Sequence, residues 1–243
     1  MIGGIAEMTT LINGLRKTKP NVFLFDSGDI FTGALAKLTQ GELAFELMIT
    51  MGYDAMAIGN HEFEYGHEVF AWQKNRAPFP VLAANFFYKD TNIPYAQAHA
   101  VIERDGIRIG VIGIMGQDAV SAINPNFIAP LDVTDPVVAV QKSIDELRDK
   151  VDLIVLLTHQ GKTAPMQTDA ESDPRLQRDI DADLFLAGAV QGADVLFAGH
   201  ADAGRPSAVV HPKTGTLIMQ TYGQGTHLGY LQLTLDEETK AIR

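Results

Sequence analysis

The chain has 243 residues and a formal net charge of −11, with 46% hydrophobic and 20% charged residues. That length buries one sizeable core, and the balanced composition excludes a disordered or fibrous chain. The acidic balance disfavours a nucleic-acid partner, whose binding rests on Lys and Arg at phosphates, yet leaves room for a small phosphate ester.

The first ten residues, MIGGIAEMTT, carry no basic segment followed by an apolar run and do not read as a signal peptide. No apolar run reaches the ~18–20 residues of a membrane span. Residues 3–19 place Ile5, Met8, Ile12 and Leu15 at helical spacing and stop before Pro20. Val22-Phe23-Leu24-Phe25 is a short continuous apolar run, the pattern of a strand buried on both faces. A helix is expected over residues 40–51 with Gly52 as its stop, then a strand at 55–58 and a helix around 68–75. Residues 81–84 form another expected strand. Residues 100–114 read as a hairpin turning at Arg104-Asp105-Gly106, because Asp-Gly suits a tight turn. Pro136 opens a helix to residue 150 with Val140, Ile144 and Leu147 inward, and residues 153–157 form the clearest buried strand. A polar stretch over 161–179 is a long loop or short helix, and strands are expected at 195–198, 216–222 and 228–235. Alternating strands and helices with antiparallel strands towards the end define an α/β layered βαβ sandwich with mixed sheets. No linker, repeat or low-complexity segment divides it, so residues 1–243 read as one domain.

Four expected strands end in polar clusters: Asp26-Ser27-Gly28-Asp29, Gly59-Asn60-His61-Glu62, Thr158-His159 and Gly199-His200-Ala201-Asp202. Loops at the carboxyl ends of neighbouring strands converge where α/β sheets bind ligands. With no cysteine in the chain, thiol nucleophiles and thiolate metal sites are excluded. The oxygen and imidazole donors that remain suit hard or borderline divalent ions. Each cluster alone is weak, since a Gly-Asp pair is commonly a turn and a lone histidine is commonly a satisfied one. Their shared position at successive strand ends carries the reading.

The blocks Gly28-Asp29-Ile30-Phe31-Thr32-Gly33 and Gly59-Asn60-His61-Glu62-Phe63 resemble those of calcineurin-like metallophosphoesterases, the second closely resembling the 5'-nucleotidase branch. Thr158-His159 and Gly199-His200-Ala201-Asp202 resemble the two later histidine blocks. The resemblance implies a metallo-dependent phosphatase fold and two divalent metals, manganese, zinc or similar. Asp29 would bridge the metals, Asn60, His159 and His200 would complete one, and Asp202 would serve the other. His61 would face the phosphate, paired with the acidic residue three positions on, here Glu64. Two cations about 3.5–4 Å apart clamp the attacking and leaving oxygens and make hydroxide near neutral pH.

The implied activity is hydrolysis of a small phosphate ester, a nucleoside 5'-monophosphate or related nucleotide. Cyclic-nucleotide phosphodiesterase, nucleotide-sugar hydrolase and thiosulfohydrolase are alternatives within the family, and the resemblance implies a periplasmic or extracellular location. Against it, the family's first strand ends in Asp-x-His and carries two ligands of one metal. No Asp-x-His precedes Gly3 here, and the family's C-terminal nucleotide-binding domain has no counterpart after Leu235. A truncated or inactive fragment of the fold is therefore the rival reading. Glu64 also replaces the usual Asp, and Asp202 stands where His or Gln is common.

Other signals take plain readings. Asp179-Ile180-Asp181-Ala182-Asp183 lacks the Gly and Glu of a calcium loop and reads as a solvated acidic loop. His67, His99, His211 and His227 are surface or satisfied histidines, with His227 the best outsider. Asn85 is a minor candidate for reaching the site, and Trp72 is expected to pack.

Overall fold

The computed structural model describes residues 4–163 and 180–243. Helix α1 (Ile5–Thr18) leads to strand β1 (Phe25–Asp26), followed by α2 (Gly33–Thr39), α3 (Glu42–Met51) and β2 (Ala55–Ala57). One of two 3-10 turns among the described residues (His61–Phe63; the other is Pro125–Phe127) precedes α4 (His67–Arg76), β3 (Val81–Leu82) and β4 (Phe86–Tyr88). The hairpin is β5 (His99–Arg104) and β6 (Ile107–Met115), after which come α5 (Gln117–Ser121), β7 (Leu131–Val133) and α6 (Pro136–Leu147). The chain continues through β8 (Leu153–Gln160), α7 (Asp181–Ala189), β9 (Val195–His200), β10 (Val209–Val210) and β11 (Leu217–Gln220).

Two principal sheets face each other. One is parallel, in the order β1-β2-β3; the other is six-stranded, in the order β10-β11-β9-β8-β6-β5. Strands β6, β8, β9 and β11 run parallel, while β5 and β10 are antiparallel edges. The mixed sheets follow from the connections, because helices cross over between parallel neighbours and the Asp105-Gly106 turn joins antiparallel ones. Both turn residues have left-handed φ values, 47° and 78°, as a tight hairpin turn of this hand requires.

Alternation along each strand sorts the core into layers. Ala55, Ala57 and Leu82 meet Val111, Val155 and Leu157 between the two sheets. On the outer face of the small sheet, Met56 and Ile58 pack with Phe45, Met48 and Phe70 from α3 and α4. The outer face of the large sheet buries Ile112, Ile154 and Leu196 under Val140, Ile144 and Leu186 of α6 and α7. The result is helix, sheet, sheet, helix.

Several local expectations shift. The helix expected over 40–51 starts at Glu42, because Gln40 and Gly41 are both left-handed (φ 48° and 83°), and a separate helix, α2, which the sequence reading did not include, precedes them. Gly52 caps α3 as expected, with φ 71°. The acidic stretch is no solvated loop over its described part: Asp181–Ala189 is helix α7, and Asp183 is fully buried. The Asp183 carboxylate accepts from Thr158 Oγ1 at 2.6 Å and Gln160 Nε2 at 2.9 Å. Trp72 is 55% exposed instead of packed, with the Arg76 guanidinium 4.3 Å from its ring centre. Most of the polar stretch at 161–179 lies outside the described residues.

The segment expected as a strand at 228–235 is not in a ladder. Leu231, Leu233 and Leu235 do turn alternately inward against the inter-sheet core. Its one bridge joins Leu235 to Ile242, so side-chain periodicity is present without a partner strand. Beside it lies a cavity of about 1300 Å³, lined among others by Phe23, Phe25, Val155, Phe197, Leu231 and Leu233.

Candidate metal centre

Strand order places the four polar clusters at one rim. Strands β1 and β2 are parallel neighbours, so the turns that follow them lie side by side. In the facing sheet, β8 and β9 are also parallel, with His159 opposite Gly199 and Gln160 opposite His200. All four strands therefore deliver their carboxyl ends to one place.

Asp29, His159 and His200 each bring a ligand atom within 4.8 Å of the others. His159 is fully buried, and its Nδ1 lies 2.6 Å from the carbonyl oxygen of Ser27. A carbonyl only accepts, so Nδ1 carries the hydrogen. The opposite nitrogen, Nε2, is 3.0 Å from Asp29 Oδ2 and 3.0 Å from Asn60 Oδ1. A carboxylate offers no donor, so a lone pair aimed at it is unfavourable unless a proton or a cation lies there. His200 Nδ1 is 2.8 Å from the same Asn60 oxygen, while its Nε2 is buried without a hydrogen-bond partner. Buried polar atoms are seldom left so. This donor set of carboxylate, amide oxygen and two imidazoles fits a borderline divalent ion.

The electrostatics agree. Burial pushes the Asp29 carboxyl up, but the charge on His159 and the hydrogen bonds from His159 and the His61 amide outweigh it and hold it low. Burial opposes the charge on His159, and Asp29 with the Ser27 carbonyl still lifts its pKa above the usual value. His200 is pushed down to about 4 by burial and by His159. These shifts favour positive charge beside Asp29, which a bound cation would supply, and a neutral His200, the form that ligates metals.

Three of the nine left-handed non-glycine residues among those described lie at this rim. Asp29, His200 and Asp202 have φ values of 71°, 76° and 55°. Non-glycine residues in that region cost about 1 kcal/mol or more each and gather where surroundings impose them. Gly28 and Gly59 make the close approach possible. A Cβ on Gly28 would sit 2.5 Å from Gly59 N, and both turns pack against the His159 ring.

His61 lies at the exposed side. Its Nδ1 is 2.6 Å from Glu64 Oε1, and its backbone N–H donates to Asp29 Oδ1 at 2.8 Å. Asp202 stands outside the three-residue cluster but lines the cavity that reaches Asp29, His61 and His200. Burial and the Asp29 charge push its carboxyl up.

The remaining sequence candidates fall elsewhere. Asn85 is fully buried and structural, its amide donating to Met115 O and Thr134 O. His211 is satisfied by Thr214. His227 is exposed and packs against Tyr222 with ring centres 4.7 Å apart and planes tilted by 52°, and both line the cavity. Glu62 escapes the sequence reading as a functional residue, although it stands directly after His61. It is fully buried, and its carboxyl is raised to about 7 by burial and the Asp29 charge, against hydrogen bonds from backbone amides.

Two facing sheets whose parallel strands end in Asp, Asn and His donors define a metal-dependent hydrolase fold of the phosphoesterase class. The calcineurin-like phosphoesterase family model matches residues 1–201, and the chain belongs to that family. It is 35% identical to a 5'-nucleotidase of Vibrio vulnificus over 93% of this chain and 44% of that protein. It is 28% identical to a 5'-nucleotidase of Rattus norvegicus over 99% of this chain and 42% of that one. Among solved structures, a 5'-nucleotidase precursor from Thermus thermophilus superposes with TM-score 0.81 at 27% identity, covering all of this chain and 48% of the other. The chain thus spans less than half the length of these relatives. Among the described residues no helix is long and apolar enough to cross a membrane.

Proposed function

We propose that the chain hydrolyses phosphate monoesters, with a nucleoside 5'-monophosphate as the substrate class. The observation that carries this reading is His159 Nε2 facing the acceptor oxygens of Asp29 and Asn60, with His200 alongside. A cation there relieves the mismatch. Asp29, Asn60, His159 and His200 would hold one divalent ion, and Asp29 with Asp202 would contribute to a second. Such ions lower the pKa of water and neutralise charge on phosphoryl oxygens.

The protein's own groups supply the rest. Glu64 on Nδ1 fixes the ring of His61 and leaves Nε2 to meet a phosphoryl or leaving oxygen. The bond from the His61 amide to Asp29 keeps the ring in register with the metal ligands. The names of the relatives support a nucleotide as the ester, and we place the protein outside the cytoplasm, as the resemblance implies. We take residues 1–243 as one catalytic domain.

The rival, a fold that keeps the metal ligands without turnover, rests on residues 1–28 supplying no Asp-x-His beside Asp29. Elemental analysis after loading with manganese or zinc, with a panel of nucleotides, decides between them. No bound metal and no turnover sinks the enzyme reading. His61→Ala is expected to abolish turnover with metal content nearly intact, whereas His200→Ala loses metal as well. Equal metal loss in both would overturn the division of roles.

A further inference from the structure

The Glu62 side chain is the most heavily bonded carboxylate near the rim, and no step above uses it. Its Oε2 accepts from the N–H of Asp29 at 2.8 Å and from Gly59 N–H at 2.6 Å. Its Oε1 accepts from Ile30 N–H at 2.7 Å and Phe31 N–H at 3.3 Å. Three successive amides of the turn after β1 thus converge on one anion, and a fourth comes from the turn after β2. Successive amides arranged in this way form a concave nest suited to negative charge.

The consequence falls on Asp29. Its left-handed backbone is unfavourable by itself and persists only where its surroundings impose it. The bond from its own N–H to Glu62 is one such constraint, and those from Ile30 and Phe31 fix the chain beyond it. With the backbone so held, Asp29 Oδ2 faces His159 and Oδ1 accepts from His61 N–H. Glu62 also ties Gly59, the neighbour of Asn60, to the same carboxylate. One side chain therefore sets the relative placement of two ligands that come from different turns.

We propose that Glu62 is a positioning residue of the metal centre, holding Asp29 and Asn60 in ligating geometry so that divalent cations bind tightly only when its carboxylate is present. This rests on the metal-centre reading above. A purely structural role would lower stability alone, and the two are separable. Glu62→Gln keeps the shape but presents an amide NH₂ to one pair of backbone N–H donors. Glu62→Asp keeps the charge but is too short to serve both turns. Phe86→Leu is the control, since Phe86 is fully buried in the core against Phe63 and touches no proposed ligand.

The test is a Mn²⁺ titration of each folded protein followed by electron paramagnetic resonance, with thermal midpoints in chelator. Both Glu62 variants are expected to bind Mn²⁺ about 10–100-fold more weakly than the parent, the range for lost ligand support. Phe86→Leu should lose thermal stability yet keep the parent's affinity. Parent-like affinity in either folded Glu62 variant, or an equal loss in Phe86→Leu, would overturn the proposal. Should Glu62→Gln fail to fold, Glu62→Asp decides alone. A parent that binds no Mn²⁺ removes the metal-centre reading itself, a different failure from normal binding in parent and variant alike.

Discussion

Asp26 shows how a single carboxyl near the rim can set the pH dependence of stability. Its Oδ1 accepts the Gly28 N–H at 2.8 Å, while burial pushes its pKa up to about 6. An unfolded Asp releases its proton near pH 4. Between about pH 4 and 6 the folded state therefore holds more protons than the unfolded one, so this group makes stability fall as pH rises. Asp26→Asn keeps the acceptor for Gly28 and removes the charge. Because Asp26 borders the cavity and is not wholly sealed from solvent, the expected gain at pH 7 is on the order of 1–2 kcal/mol, a pKa unit being worth about 1.4 kcal/mol. The gain should vanish below about pH 4. Urea unfolding in chelator across pH 4–7 measures it, and a constant difference would refute the assignment.

At the scale of one element, α6 illustrates a terminus written into the sequence. Asp135 accepts from Val137 N–H at 2.8 Å and Val138 N–H at 3.2 Å, and Pro136 occupies the first helical position. These satisfy donors that the first turn cannot pair within the helix. Asp135→Ala should cost about 1 kcal/mol in chemical unfolding and leave metal affinity unchanged. The sequence announces this helix by its proline and apolar face, although the helix ends at Leu147 and not at the expected residue 150. It announces 228–235 only halfway. Period two fixed which leucines turn inward, but ladder bonds need a neighbouring strand, and local pattern says nothing of one. Asp183 fails in the opposite direction: three acids in five residues suggest solvent, yet tertiary contacts with Thr158 and Gln160 bury one of them.

Over the whole molecule, the cavity between the sheets is the feature with the largest consequence. A residue of a packed strand occupies roughly 160 Å³, from a rise of about 3.3 Å, a strand spacing of about 4.8 Å and a layer of about 10 Å. A cavity of about 1300 Å³ thus has room for an extended segment of roughly eight residues, and it reaches Asp29 and His200 at the rim. Joining a strand that ends in Asp-x-His ahead of Gly3 is expected to raise both metal stoichiometry and the thermal midpoint, by adding ligands and burying apolar surface together. Elemental analysis and calorimetry read the two effects. If neither rises, the cavity does not accept a metal-ligating strand.

Sequence by itself determined the alternation of elements, the α/β class, the kinds of donor available and the motifs at the strand ends. Each of these is encoded within windows of a few residues by side-chain period, turn chemistry and donor type. Only the tertiary structure decided that Asp29, Asn60, His159 and His200 converge while Asp202 stands apart. It also decided that Asn85 serves the fold, and that Glu62, with no role legible in its motif, gathers four amides from two turns. Those outcomes depend on register, such as His159 opposite Gly199, and on contacts between residues from 30 to 140 positions apart, as for Asn85 with Met115 and Asn60 with His200. No local pattern carries that information.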